Sequence, residues 1–189
     1  MNYFLLGLIA FVVIVYGWYA KIIAKKNKAK EALSGIDVQL KKRSDLLPNI
    51  LTIAAKFMEH ERELIQKVTE LRTKVTSDYN KEDAASVESH LAHAGALDAN
   101  LGKLMIAVEN YPNLKSDQTM IQAQRTYNEV EEQIAAARRF YNSAVNDLNT
   151  AIEIFPGNLI ASLANATTMP FYQVEESAKA PVDASKFFN

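Results

Sequence analysis

No cysteine occurs in the chain, so disulfides and thiolate metal sites are excluded. Glycine and proline are sparse, six and five in 189 residues, which argues against an all-β fold built from many turns. No G-x-x-x-x-G-K, G-x-G-x-x-G or G-x-S-x-G pattern is present, and without glycine loops there is no ready phosphate cradle. His60-Glu61 opens like the zinc motif H-E-x-x-H but the second histidine is missing. His90 and His93 lie three apart, yet antiparallel pairing would offset His60 from them by ~10–15 Å at 1.5 Å per residue. They therefore read as solvated side chains, and no metal or cofactor is expected. Carboxylates are plentiful, but helix surfaces carry them ordinarily, and no catalytic acid/base pair stands out. Residues 44–189 hold 13 basic and 20 acidic residues, a net −7 that argues against nucleic acid as a partner.

What is present is strongly segregated. From Met1 to Ala20 no side chain is charged, and the apolar run continues past Lys21 into Ile22, Ile23 and Ala24. A bilayer core needs about 20 apolar residues in a helix. Tyr16, Trp18 and Tyr19 gather at one end of the run, where amphipathic rings favour the headgroup zone. The start, Met1-Asn2-Tyr3, lacks a basic region and no A-x-A site follows, so a retained span is expected rather than a cleaved signal peptide. Residues 21–43 carry eight basic against two acidic side chains, a net +6. Basic flanks stay in the cytoplasm, which predicts N-terminus outside, bundle inside, at the cell (inner) membrane. Lys21, Lys25 and Lys26, with the three aromatics, are the expected membrane-interface anchors, within reach of anionic lipid heads.

Beyond the span, apolar residues recur at helical spacing. Leu33, Ile36, Leu40, Leu47, Leu51, Ala54, Met58, Ile65, Val68, Leu71 and Val75 predict one very long helix to about Thr76, or two divided near Pro48. A turn at residues 77–80 follows. A second helix is expected over about 82–109, with Gly95, Ala99 and Gly102 on a face that a neighbouring helix could approach closely. Tyr111-Pro112-Asn113 ends it, and Ser116 or Asp117 can cap a third helix, about 118–155. Phe155-Pro156-Gly157 stops that helix, and a short one is expected over 158–164. The expected fold is all-α: an N-terminal transmembrane helix (1–24), an antiparallel up-down-up bundle of three long helices with the first longest (25–164, including the short helix), and an irregular tail (165–189), docked through Phe171, Tyr172, Phe187 and Phe188. Arg139, Asn142, Asn146 and Asn149 share one helix face, and Asp37 and Arg43 flank the first apolar stripe. A polar layer that fixes register is the reading adopted, with a partner-docking surface as its alternative.

At these same residues the sequence resembles the LemA family. Residues 36–50, IDVQLKKRSDLLPNI, look like that family's first signature, and Tyr111-Pro112-Asn113-Leu114 looks like its second. The third, residues 137–149, ARRFYNSAVNDLN, leads into Phe155-Pro156 and Ala161. Leu148 departs from the pattern, where an aromatic is usual. The resemblance covers the chain to about residue 165. It implies a membrane-anchored bundle with one longer helix and an N-out topology, and brings no defined biochemical activity. By analogy with a related protein of magnetic bacteria, it points to membrane organisation. The expected function is a non-enzymatic scaffold that meets the bilayer and forms a homo-oligomer. The alternative is an adaptor or accessory subunit of a membrane protease or stress-signalling complex.

Overall fold

The computed structural model describes residues 2–173. The expectations for Phe187 and Phe188, and for the tail beyond residue 173, lie outside the described residues. Among those described, every regular element is helical. The first, α1 (Asn2–Phe57), is 56 residues long, about 84 Å at 1.5 Å per residue. Its N-terminal part is apolar and long enough to cross a membrane, and its most apolar stretch is not buried by the rest of the chain. The helix continues through residue 24 without a break. From Ile22 onward one stripe turns inward: Ala29, Leu33, Ile36, Leu40, Leu47, Ile50 and Ala54 are all buried, at steps of three, four or seven.

Pro48 sits inside α1 and does not end it. Proline has no N–H, so the carbonyl of Ser44, four residues back, loses its helical donor. Ser44 is fully buried, where an unpaired carbonyl is costly. Arg72 supplies the missing donor, its Nε 2.8 Å from Ser44 O. The helix breaks ten residues later, at buried Met58, followed by a single 3-10 turn (Glu59–Glu61) and α2 (Arg62–Thr76). We expect Arg72→Ala to cost about 1.5–3 kcal/mol, as for hydrogen bonds from charged donors. In Pro48→Ala, whose restored N–H competes for Ser44 O, the same change should cost clearly less. A double-mutant cycle in urea measures the difference.

After the turn at 77–83, Asp83 caps α3 (Ala84–Val108) by accepting from Ser86 N at 3.0 Å. The short α4 (Pro112–Lys115) leads to Asp117, which caps α5 (Gln118–Glu153) through Met120 N at 3.0 Å. Side-chain pairs set the directions. Lys25 meets Asp147 at 3.2 Å and Arg43 meets Glu131 at 3.1 Å, so α5 runs against α1. Asp37 meets His90 and Arg43 meets Asp98, so α3 runs with it. This corrects the expected up-down-up order of three long helices, in which the second would oppose the first: the chain reverses at Met58 as well as at 77–83, and α2 lies back along α1. One apolar core joins all four long helices.

At the end of α5 the chain turns back at 154–156 into α6 (Gly157–Ile160). A Cβ at Gly157 would lie 1.9 Å from the carbonyl oxygen of Ala151, so only glycine fits this close return. Ile160, Ala161, Ala164 and Ala166 pack against Ile22 with Val15, Trp18 and Ile23 beside them. The chain then runs back along the bundle as a non-helical strap, residues 167–173. This strap, rather than a helix, is what comes near Gly95, whose would-be Cβ lies 4.0 Å from Gln173 O, while Gly102 faces open space.

Candidate functional site

The bundle's centre holds a cluster of four opposite charges. Arg43 on α1 is completely buried. Its guanidinium donates to Glu131 Oε1 on α5 at 3.1 Å and to the Ala94 carbonyl on α3 at 3.2 Å, and lies 3.6 Å from Asp98 Oδ1. Asp98 also faces Arg138 of α5 at 3.6 Å. Arg138 stacks over the ring of Tyr172 in the strap, 4.4 Å from its centroid, and that ring is 1% exposed. Burial pushes the Glu131 carboxyl upward; Arg43 opposes this and Asp98 adds to it. Burial likewise raises Tyr127 and Tyr172. Two cations and two anions drawn from three helices neutralise one another, so the cluster orders the helices and offers no free charge to a substrate.

A second polar group sits one to two turns nearer the apolar end of α1. Asp37 accepts from Tyr79 Oη at 3.0 Å, pairs with Lys81 Nζ at 2.5 Å and lies 3.3 Å from His90 Nε2. The Tyr79 and His90 rings stack at 3.9 Å. His90 is 6% exposed, which corrects its reading as a solvated side chain, whereas His93 is half-buried and His60 is exposed in the 3-10 turn. Burial alone would raise the Asp37 carboxyl, but donors from His90, Lys81 and Tyr79 together hold it below its ordinary value. A carboxylate with a depressed folded pKa stabilises above its unfolded value of 3.8 and loses that contribution as pH falls through the folded one. Wild type should therefore exceed Asp37→Asn by about 1–3 kcal/mol near neutrality. The gap should close below pH 3.8, as urea melts at several pH values would record.

The asparagine face divides in two. Asn142 donates to Tyr172 O at 3.1 Å and accepts from Tyr172 N at 2.9 Å. Asn149 makes the same two bonds with Met169, both at 2.9 Å. Tyr141 adds a bond from its hydroxyl to Pro170 O at 2.8 Å. These two asparagines hold the strap, while Asn146 and Arg139 remain exposed. Asp98, Glu131, Arg138, Tyr79 and Lys81 complete the two polar groups and were not singled out from sequence. Their partners lie on other helices, so no local spacing marked them.

The expected interface anchors also divide. Tyr16 and Tyr19 are exposed, and Lys21 lies over the Trp18 ring, 4.6 Å from its centroid. Lys25 and Lys26 are half-buried against the bundle: one pairs with Asp147, the other donates to Asn165 O at 2.7 Å.

The model of the LemA family matches residues 32–185, past the point near 165 where the resemblance read from sequence stopped. A "Protein LemA" of Metamycoplasma hominis is 24% identical over 99% of this chain and 83% of its own length. "Magnetosome protein MamQ 2" of Paramagnetospirillum magneticum is 21% identical over 97% of this chain and 75% of its own. "Magnetosome protein MamQ" of Magnetospirillum gryphiswaldense is 19% identical with the same coverage.

Proposed function

Because this chain belongs to the LemA family, we propose that it is a non-enzymatic, membrane-anchored helical scaffold that oligomerises and organises or shapes the membrane. The observation that carries the reading is the continuity of α1. The charge-free stretch and the bundle's longest core strut are one helix, so the bundle is fixed to whatever that stretch enters. In this reading residues 1–24 cross the bilayer with the N-terminus outside, and an antiparallel bundle stands in the cytoplasm. The basic flank faces anionic lipid heads, chiefly through Lys21 now that Lys25 and Lys26 have partners within the chain. The charge cluster around Arg43 is internally neutralised, which suits a structural strut better than a reaction centre. Light scattering of the full chain in mild detergent and in lipid discs tests the proposal. A defined assembly, with a smaller particle for a fragment beginning at Lys21, is the expected result; a monomer in both media would end the scaffold reading.

The adaptor reading keeps one observation of its own. A groove of about 520 Å³ runs between α1 and α5 beside Pro48, lined by uncharged residues including Asn49, Thr52, Gln122 and Thr126. Asn142 is occupied by the strap, so an adaptor surface would be this groove, or Asn146 with Arg139. Cross-linking in native membranes from Thr52 would separate the two readings, since a scaffold predicts only copies of the chain as products.

A further inference from the structure

We propose that the corner formed by the end of α5 and α6 is a second membrane-contacting element, a shallow apolar foot that enters the same leaflet beside α1. The proposal rests on the reading of α1 as a span. Ile154, Phe155, Leu159 and Leu163 are 44%, 76%, 64% and 69% exposed, four large apolar side chains within ten residues. On the rest of the bundle such residues are scattered singly, as Val38, Phe57, Ile106 and Phe140 are. Single exposed apolar residues are ordinary, whereas a contiguous group marks an interface.

Position identifies the occupant. The inner side of the corner packs on Val15, Trp18, Ile22 and Ile23, which places it level with the aromatic end of the apolar stretch. Ile160 and Leu163 share a groove of about 250 Å³ with Phe11, Val12, Val15, Tyr16 and Tyr19. Phe11 and Val12 lie about 14 Å below Lys21 along the helix at 1.5 Å per residue, a depth at which a span is already in hydrocarbon. Leu163 thus borders the surface that α1 presents to lipid, and Ile154, Phe155 and Leu159 are exposed on the same short turn of chain. Charge agrees with depth: between Glu153 and Glu175 no residue is charged, and the first lysine contact of the corner is Lys26 at its upper edge, on Asn165. An element without charges has none to desolvate on entering lipid, and its exposed apolar side chains gain by leaving water.

The chain has no cysteine, so single-cysteine variants carry one probe each. Spin labels would be placed at Leu159→Cys, Leu163→Cys, Ile9→Cys in the span and Asn110→Cys beyond α3. The full chain would be reconstituted in vesicles of phosphatidylcholine and phosphatidylglycerol. Collision with oxygen, which partitions into lipid, would be compared with collision with a water-soluble nickel chelate. We expect Leu159 and Leu163 to follow Ile9, with nickel access roughly tenfold below Asn110, because polar solutes are excluded from hydrocarbon. Nickel access like that of Asn110, with Ile9 still protected, overturns the foot and leaves the span. Access at Ile9 as well overturns both. Protection from both reagents, with dipolar broadening that vanishes on dilution with unlabelled chain, assigns the corner to a second copy and overturns the lipid assignment.

Discussion

Arg43→Met should destabilise the bundle by about 3–5 kcal/mol, the usual cost of removing one partner from a buried ion pair. The reason is what it leaves behind. Glu131 and Asp98 would lose their shared cation, and the Ala94 carbonyl its side-chain donor, in a place where Arg43 itself has no exposed surface. Domains of this size are stable by about 5–15 kcal/mol, so the loss is a large part of the whole. Arg43→Lys should recover only part of it. An ammonium is a point donor and cannot reproduce the fork that reaches Glu131 and Ala94 together. Arg43→Met with Glu131→Leu should regain most of the stability, because an apolar pair carries no unpaired charge. Urea denaturation of the fragment beginning at Lys21 gives all three values. A loss below about 1 kcal/mol for Arg43→Met would mean that the cluster is open to water, as exposed pairs are.

Most helix ends were legible because their signals are local, but the division of the first helix was not: expected near Pro48 or not before Thr76, it falls at Met58, where no proline or glycine marks it. Asp117 lies just before the apolar period of α5 and caps it, and the inward residues of α1 repeat at three, four and seven. The site was legible only where it is local too. Arg43 stands out as a cation beside an apolar stripe, but its anions sit on α3 and α5, at positions that look like ordinary helix surface. Pro48 shows the same limit in the other direction. Proline is a sound local signal for a break, and the break is averted by Arg72, a residue 28 positions away that no local rule connects to Ser44. His90 looked solvated because nothing near it in sequence reveals the Asp37 carboxylate or the Tyr79 ring that cover it. The strap has no periodicity to read, and its anchoring asparagines lie 20 and 30 residues before their partners.

Those asparagines carry the second large effect. Asn142 and Asn149 are seven residues apart, about 10.5 Å along a helix. Their targets, Tyr172 and Met169, are three residues apart, about 10 Å along an extended chain. The match lets each amide side chain take both the N–H and the C=O of one residue, as a facing strand would. Asn142→Ala with Asn149→Ala should therefore free the strap at a cost of about 2–6 kcal/mol, from roughly 1–3 at each site. Because the opening is local, hydrogen exchange at the Met169 and Tyr172 amides should quicken by about one and a half to four orders of magnitude, at about 1.4 kcal/mol per factor of ten. The Tyr172 ring would then leave Arg138 and admit water to the charge cluster, so this double change and Arg43→Met should cost less together than their sum. Asn146 is the control. It lies between the other two on α5 but is exposed, and Asn146→Ala should stay within about 0.5 kcal/mol and leave exchange unchanged. If Asn146→Ala loosened the strap as much as the clamping pair does, the bonds at Met169 and Tyr172 would not be what holds it, and the whole asparagine face would again be open to a docking role.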